Sequence, residues 1–293
     1  MRMLAMLPLL ALAACASSSS APVREPTGDS VILAKQLADI ERRSGGRMGI
    51  ALTDTTGRLL LGQRSDQRFA MCSTFKLLLA GQVLRGAANG GPSLRTPLAL
   101  SAADLLPHSP YSETQVGSGE LRLGFAAEQI VKVSDNAAAN LILKATGGPA
   151  SFTQRVRAMG DVVTRLDRNE PDLNENAPGD PRDTTSPAAM AKSGAMLVYG
   201  DYLNADYRRQ LRGWLIDSET GRARIRAGLP PAWIAGDKTG TCGTAYNDVA
   251  FIEAPDGSKY MLAAFLDRPT VTGDAANALL AEVGRAIAEN LPD

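Results

Sequence analysis

The chain has 293 residues, 44% of them apolar and 21% charged, enough for one large domain or two closely joined ones. Its 31 basic residues balance 31 acidic ones, so no excess of positive charge points to nucleic acid. No apolar run reaches the ~20 residues of a membrane span, and no internal repeat is visible.

The N-terminus reads as a processing segment. Arg2 precedes the apolar run "LAMLPLLALAA" at positions 4–14, the pattern of a secretory signal. The run closes on Leu12-Ala13-Ala14-Cys15, which resembles a bacterial lipoprotein cleavage box. On that reading residues 1–14 are a signal peptide, Cys15 is the lipidated first residue, and residues 15–28 are a Ser/Pro-rich membrane tether. The alternative is ordinary cleavage with Cys15 incidental. Either way the protein is expected to be exported to the periplasm, an oxidising compartment.

Asp29-Ser30 is expected to cap a helix over 31–43, with Leu33, Leu37 and Ile40 on one face, ended by Gly45-Gly46. "RMGIALTDTTGRLLLGQR", positions 47–64, holds two strand-like runs around the turn Asp54-Thr55-Thr56-Gly57. A long middle stretch reads mostly helical, over 74–85, 126–133, 137–144, 150–159, 187–199 and 205–216. Strands return in "WIAGDKTGT", "YNDVAFIEA" and "KYMLAAFLD", and a helix over 274–290 closes the chain. Strands at both ends with helices between imply an α+β architecture: a mixed domain built from both termini and an inserted all-helical domain. The cleft between them is the expected site. One polar segment, "TRLDRNEPDLNENAPGDPRDTTSP" at 164–187, is too long for a simple connection, and such loops are usually functional or disordered.

Three short motifs carry chemistry. In "MCSTFK", Ser73 and Lys76 stand three apart at a helix start, so they share a face. A serine hydroxyl needs a base to become a nucleophile. A lysine serves if burial or positive neighbours depress its pKa, and the helix N-terminus favours an oxyanion. Ser134-Asp135-Asn136 lies between two helices, and Lys238-Thr239-Gly240 sits on a strand, followed by Thr241. Taken singly they are an ordinary surface Ser and Lys, a helix cap, and a strand end. A Ser-His-Asp triad would have to run through His108, the one histidine, and a zinc site would want more. Apart from Cys15 the cysteines are Cys72 and Cys242; in an oxidising compartment two thiols favour a pair, the alternative being two buried free thiols.

In this order and on these elements, the three motifs resemble those of the class A serine β-lactamases. The resemblance runs from about Ser30 to the C-terminus and includes Arg168-Asn169-Glu170-Pro171-Asp172-Leu173-Asn174, which is similar to that family's Ω-loop. The wider penicillin-recognising superfamily shares S-x-x-K and K-T-G, whereas the glutamate loop is specific to class A. The resemblance implies a five-stranded antiparallel sheet flanked by helices. It implies an α/β lobe over 29–68 and 217–293, and an all-α lobe over 69–216 that includes the Ω-loop at 165–183.

The resemblance also implies residue roles. Ser73 attacks the lactam carbonyl; Lys76, or Glu170 through a water, is the acylation base; Ser134 relays a proton to the leaving nitrogen. Glu170 and Asn174 hold the deacylating water. The N–H groups of Ser73 and Thr241 form the oxyanion hole. Asn136 binds the substrate's side-chain amide, and Lys238, Thr239 and Thr241 meet its carboxylate. Arg168 and Asp183 are expected to pair across the neck of the loop. Where many relatives carry an arginine on the strand after K-T-G, the matching position is read as Asn247; Arg224, on the preceding helix, is the expected replacement. A Cys72–Cys242 bridge matches the disulfide of the carbapenem-hydrolysing subgroup, and closing so long a loop stabilises by roughly 5 kcal/mol at most in a chain-entropy model. Two departures are notable: His108 stands where an aromatic borders the cleft mouth, and Asn169 where an aromatic precedes the loop glutamate. The implied partners are small-molecule β-lactams, with no metal or organic cofactor and a monomer as the working state. The rival readings are a D-Ala-D-Ala transpeptidase or carboxypeptidase and a non-catalytic penicillin sensor. Neither needs Glu170 and Asn174 to direct a rapid water attack.

Overall fold

The apolar runs at the two ends of the chain pair with one another. The structure, a computed structural model, describes residues 28–291; the signal segment, Cys15 and most of the tether lie outside the described residues. In chain order the first elements are α1 (Gly28–Ser44), β1 (Arg47–Thr53), β2 (Leu59–Gln63), β3 (Phe69–Ala70), α2 (Phe75–Ala88), β4 (Pro97–Ala99), α3 (Pro110–Gln115) and β5 (Glu120–Arg122). They are followed by α4 (Leu123–Lys132), α5 (Asn136–Ala145), α6 (Gly148–Ala158), β6 (Thr184–Thr185), α7 (Pro187–Val198), α8 (Ala205–Ile216) and α9 (Ile225–Gly228). The chain closes with β7 (Ile234–Cys242), β8 (Ala245–Glu253), β9 (Lys259–Asp267) and α10 (Asp274–Asn290). Because α1 begins at Gly28, Asp29 and Ser30 lie inside its first turn and are not its cap.

The main sheet has five strands in the order β2-β1-β9-β8-β7, every neighbouring pair antiparallel. N-terminal β1 lies against C-terminal β9, with Ala51 opposite Ala263, so one sheet ties both ends of the chain together. β1, β8 and β9 are buried along nearly their whole length, which explains why they read as continuous apolar runs. On one face Leu37 and Ile40 of α1 and Leu280, Val283 and Ile287 of α10 cover Ile50, Ile252 and Leu262. On the other, α7 and α8 pack over Phe251, Met261 and Phe265. A β-carbon on Gly194 of α7 would lie 2.4 Å from Met261 Cε, so this glycine permits the close approach of helix and sheet.

The helical part is organised on α2, whose first ten residues, Phe75 to Leu84, are all buried. A helix apolar around its whole circumference belongs inside a domain, and α4, α6, α7 and α8 surround this one. Phe75 meets Phe152 of α6 edge-on at 6.0 Å. The buried start of α2 therefore lies at the junction of the helices with the sheet.

Candidate active site

The nucleophile motif forms a 3-10 turn, Cys72–Thr74, that runs directly into α2. Cys72 has a φ of 46°, a left-handed conformation that a non-glycine residue keeps only when its surroundings impose it. Several contacts do so here. A disulfide joins Cys72 to Cys242 at the end of β7, with Cα atoms 5.6 Å apart. Met71 N donates to Asp183 O (2.9 Å) and Thr74 Oγ1 to Met71 O (2.8 Å). Asn247 Nδ2 donates to Ala70 O (2.9 Å) and Met71 O (3.2 Å). A β-carbon on Gly240 would lie 2.6 Å from Met71 O, so the glycine of K-T-G lets β7 lie against this turn.

Lys76, fully buried, is the hub. Its Nζ donates to Ser73 Oγ (3.1 Å), Ser134 O (2.8 Å) and Asn136 Oδ1, lies 3.4 Å from Ser134 Oγ, and approaches Glu170 Oε1 at 3.1 Å. Burial lowers its pKa, while Glu170 and Asp135 oppose the shift. Glu170 is also buried. Its Oε2 accepts from Asn174 Nδ2 (2.6 Å), whereas Oε1 has the Lys76 contact without hydrogen-bond alignment and no other partner among the described residues.

The second lysine converges on the same serine. Lys238 Nζ donates to Ser134 Oγ (3.0 Å) and to Thr239 O (2.8 Å). Burial, and then the charge of Lys76, hold Lys238 well below the usual ammonium range. Ser134, with φ 60°, thus stands between two buried amines. Its loop is anchored by Asp135, which accepts from Tyr111 N (3.0 Å), Ser112 N (2.8 Å), Ser112 Oγ (2.7 Å) and Ala138 N (2.9 Å). The last of these caps α5.

A cavity of 250 Å³ opens here, lined by Ser73, His108, Ser134, Asn136, Asn174, Thr220, Arg224, Thr239 and Thr241. Arg224 Nη2 donates to Thr241 Oγ1 (2.6 Å), Nη1 to Asn247 O (2.6 Å) and Gly240 O (3.1 Å), and Nε to Asn277 Oδ1 (2.9 Å). No carboxylate among the described residues forms an ion pair with it, and burial lowers its pKa. Asn247 pairs with Gly240 and turns its amide under the nucleophile turn, away from the cavity. The residue opposite Thr241 is Tyr246, whose ring centre lies 5.8 Å from the Arg224 guanidinium. One residue along a strand reverses the face a side chain takes.

His108 reaches the cleft mouth with φ 61°; its Nε2–H donates to Val133 O (2.9 Å), and its own carbonyl accepts from Asn136 N (3.0 Å). The Ω-loop is closed at its neck by Arg168, whose Nε donates to Asp183 Oδ2 (2.6 Å) and whose Nη1 and Nη2 reach Glu175 Oε2 and O (both 2.8 Å). Asn169 contributes a carbonyl that accepts from Leu173 N (3.0 Å).

Sequence reasoning missed several residues of this site. Asn140 clamps the Glu170 backbone from both sides, Nδ2 to Glu170 O (2.8 Å) and Oδ1 from Glu170 N (2.9 Å). It lies one helical turn beyond Asn136, a spacing that would have placed it on the same face. Thr220 receives the Thr239 hydroxyl (2.7 Å); nothing local marks Thr220 or Asn277. Behind Lys238 two buried carboxyls meet. Asp237 has an ion pair with Arg226 (3.0 Å), and Asp248 accepts from Ile225 N (3.0 Å). Asp237 Oδ1 faces Arg226 without hydrogen-bond alignment, and Asp237 Oδ2 and Asp248 Oδ1 find no donor among the described residues, the arrangement expected of two carboxyls that share a proton. Burial raises both pKa values, and the charge of Asp237 raises that of Asp248 further.

Comparison with known proteins fits this geometry. Residues 32–291 match the model of the β-lactamase enzyme family. β-Lactamase L2 of Stenotrophomonas maltophilia is 42% identical over 97% of this chain and 93% of its own. The solved structure of an ancestral (GNCA) class A β-lactamase is 48% identical, with a TM-score of 0.86 over 88% of this chain and all of its own.

The chain belongs to the class A β-lactamase family.

A β-lactamase from Xanthomonas campestris, 42% identical, superimposes equally well, with a TM-score of 0.86 over 89% of this chain and 97% of its own. The activity of this class A β-lactamase is therefore hydrolysis of the β-lactam amide, on the fold described above.

Proposed function

We propose that the β-lactam is opened through an acyl-enzyme on Ser73 and released by water that Glu170 activates. The observation that carries this is the placement of one buried amine, Lys76 Nζ, 3.1 Å from both Ser73 Oγ and Glu170 Oε1. Lys76 is in direct reach of the Ser73 proton, and Glu170 reaches it through a water; a lysine whose pKa burial has lowered is a competent acceptor. Ser73 Oγ adds to the lactam carbonyl, with the N–H groups of Ser73 and Thr241 receiving the oxyanion. As the C–N bond breaks, Ser134 Oγ passes a proton to the departing nitrogen, resupplied from Lys76 or Lys238. A water on Glu170 and Asn174 then attacks the ester and gives its proton to Glu170; as the bond to Ser73 Oγ breaks, that proton passes through Lys76 to the departing oxygen, which restores Ser73 and the Glu170 carboxylate as product leaves.

Arg224, Lys238, Thr239 and Thr241 receive the substrate carboxylate, Asn136 its side-chain amide, and His108 borders the entrance. The Cys72–Cys242 bridge supports including carbapenems among the substrates, because it fixes the nucleophile turn to the strand that faces the substrate. The protein acts as an exported monomer, tethered by a lipid on Cys15; no helix among the described residues is long and apolar enough to cross a membrane. The test is spectrophotometric turnover of benzylpenicillin and of a carbapenem, in the protein and in Ser73→Ala. Multiple turnovers of both drugs, abolished in the variant, are expected. A single stoichiometric burst would return the assignment to a penicillin-binding protein, and benzylpenicillin turnover alone would remove carbapenems.

A further inference from the structure

Against residues 176–182 of the Ω-loop lies another cavity, of 420 Å³, whose lining does not include Glu170. Its lining includes four guanidinium groups, Arg47, Arg68, Arg182 and Arg268, against two carboxylates, Asp180 and Asp267. Both carboxylates are already engaged: Asp267 with Arg47 (3.1 Å) and Arg268 (2.8 Å), Asp180 with Arg182 (2.7 Å). Arg68 has no ion-pair partner among the described residues; it donates to Val163 O and Thr184 Oγ1, both at 3.0 Å. Partial desolvation and the nearby charges of Arg165 and Arg157 push its pKa down, and Asp161 and Asp167 oppose the shift without pairing with it. A second observation is independent of charge. Asn176 Nδ2, on the loop side of the same cavity, is buried and donates to nothing among the described residues. A buried donor without an acceptor is costly. The lining therefore carries two more guanidinium groups than carboxylates, with room for a ligand and an unsatisfied amide, Asn176 Nδ2, buried in the loop beside it.

We infer that this cavity binds a phosphate-class anion, held by Arg68 and its neighbouring guanidinium groups, and that its occupant fastens the distal half of the Ω-loop to the sheet. Guanidinium forks arriving from different segments suit a tetrahedral oxyanion with acceptors on all sides, where a lone carboxylate would satisfy one fork. The fastening follows from the connectivity. Arg68 and Arg47 belong to the body, Arg268 follows β9, and Asn176 and Arg182 belong to the loop. Arg268 Nη2 already reaches Asn176 O (2.6 Å), and Arg47 Nη2 reaches Arg68 O (2.8 Å). The phosphate can be free in solution or carried on a lipid headgroup.

Inorganic pyrophosphate is the probe, titrated calorimetrically at ionic strength matched with sodium chloride. Saturable binding is expected, with amide exchange slowed over residues 176–182. The double substitution Arg68→Gln, Arg268→Gln should weaken binding at least tenfold while β-lactam turnover reports an intact fold. Arg224→Gln should leave pyrophosphate affinity unchanged. If the double variant does not fold, Arg182→Gln, at an exposed side chain, is expected to weaken binding about threefold. Vesicles of phosphatidic acid, set against phosphatidylcholine alone, separate the sources. Flotation lost in the same variants identifies a headgroup, and pyrophosphate binding without flotation a free phosphate. Absence of saturable binding to either probe, binding that survives the substitutions, or binding abolished by Arg224→Gln would overturn the inference.

Discussion

Ser73 and Lys76 meet because they are three residues apart on a turn entering a helix, a contact that spacing alone foretells. Their meeting with Ser134 and Lys238 is of another kind. Ser134 lies 58 residues beyond Lys76 and 104 before Lys238, separations that no local pattern bridges. Those residues were read through the family resemblance, whereas Asn140, Thr220 and Asn277, whose contacts depend on the folded chain, were not read at all. Asn247 turns toward the nucleophile turn and away from the cleft, an orientation set by strand register that its sequence position alone does not reveal. The Asp237–Asp248 pair was equally invisible, yet it supplies a pH prediction. Because the folded state raises these pKa values above the unfolded 3.8, it keeps a proton that the unfolded chain releases. Stability is therefore lost as pH rises from about 4 toward the folded pKa. Asp248→Asn retains a hydrogen bond to Asp237 without that proton, so its stability relative to the parent should grow across the window. A tenfold difference in acidity corresponds to about 1.4 kcal/mol. Urea unfolding at several pH values measures this; a pH-independent offset would rule out the shared proton.

At the scale of elements, the long segments were legible. The helices over 205–216 and 274–290 and the three C-terminal strands lie where the apolar pattern and its end signals put them. The missed pieces are short: α3, α9 and the two-stranded pairs β3/β6 and β4/β5 are too brief to show a period. The Ω-loop has almost no periodic structure because side chains, not a backbone ladder, hold it. Its neck rests on Arg168, whose side chain is 14% exposed, paired with Asp183 at 1%. Removing one partner of a buried pair leaves the other uncompensated, at about 3 kcal/mol or more. Arg168→Ala should lower stability by about that amount and slow deacylation more than acylation, because the loop carries Glu170 and Asn174. Rapid-quench measurement of the acylated fraction separates the two steps; equal slowing of both would show that the loop does not act through deacylation alone.

At the scale of the whole molecule, the cleft lies where one sheet, assembled from both ends of the chain, meets the buried N-terminal end of α2. Disulfide Cys72–Cys242 spans 170 residues and crosses that junction. Loop-closure entropy gives it at most roughly 5 kcal/mol, and it helps hold the left-handed Cys72 beside the nucleophile. Replacing both cysteines by serine should lower the urea midpoint and reduce kcat together, whereas unchanged kcat in a folded variant would make the bridge purely a stabiliser. The account rests most heavily on Glu170 as the group that frees Ser73. Intact-mass spectrometry of Glu170→Ala mixed with benzylpenicillin tests it most directly. The account predicts a persistent one-to-one adduct, mapped to Ser73, in the variant and none lasting in the parent. Turnover in the variant at the parent's rate, with no adduct, would contradict it.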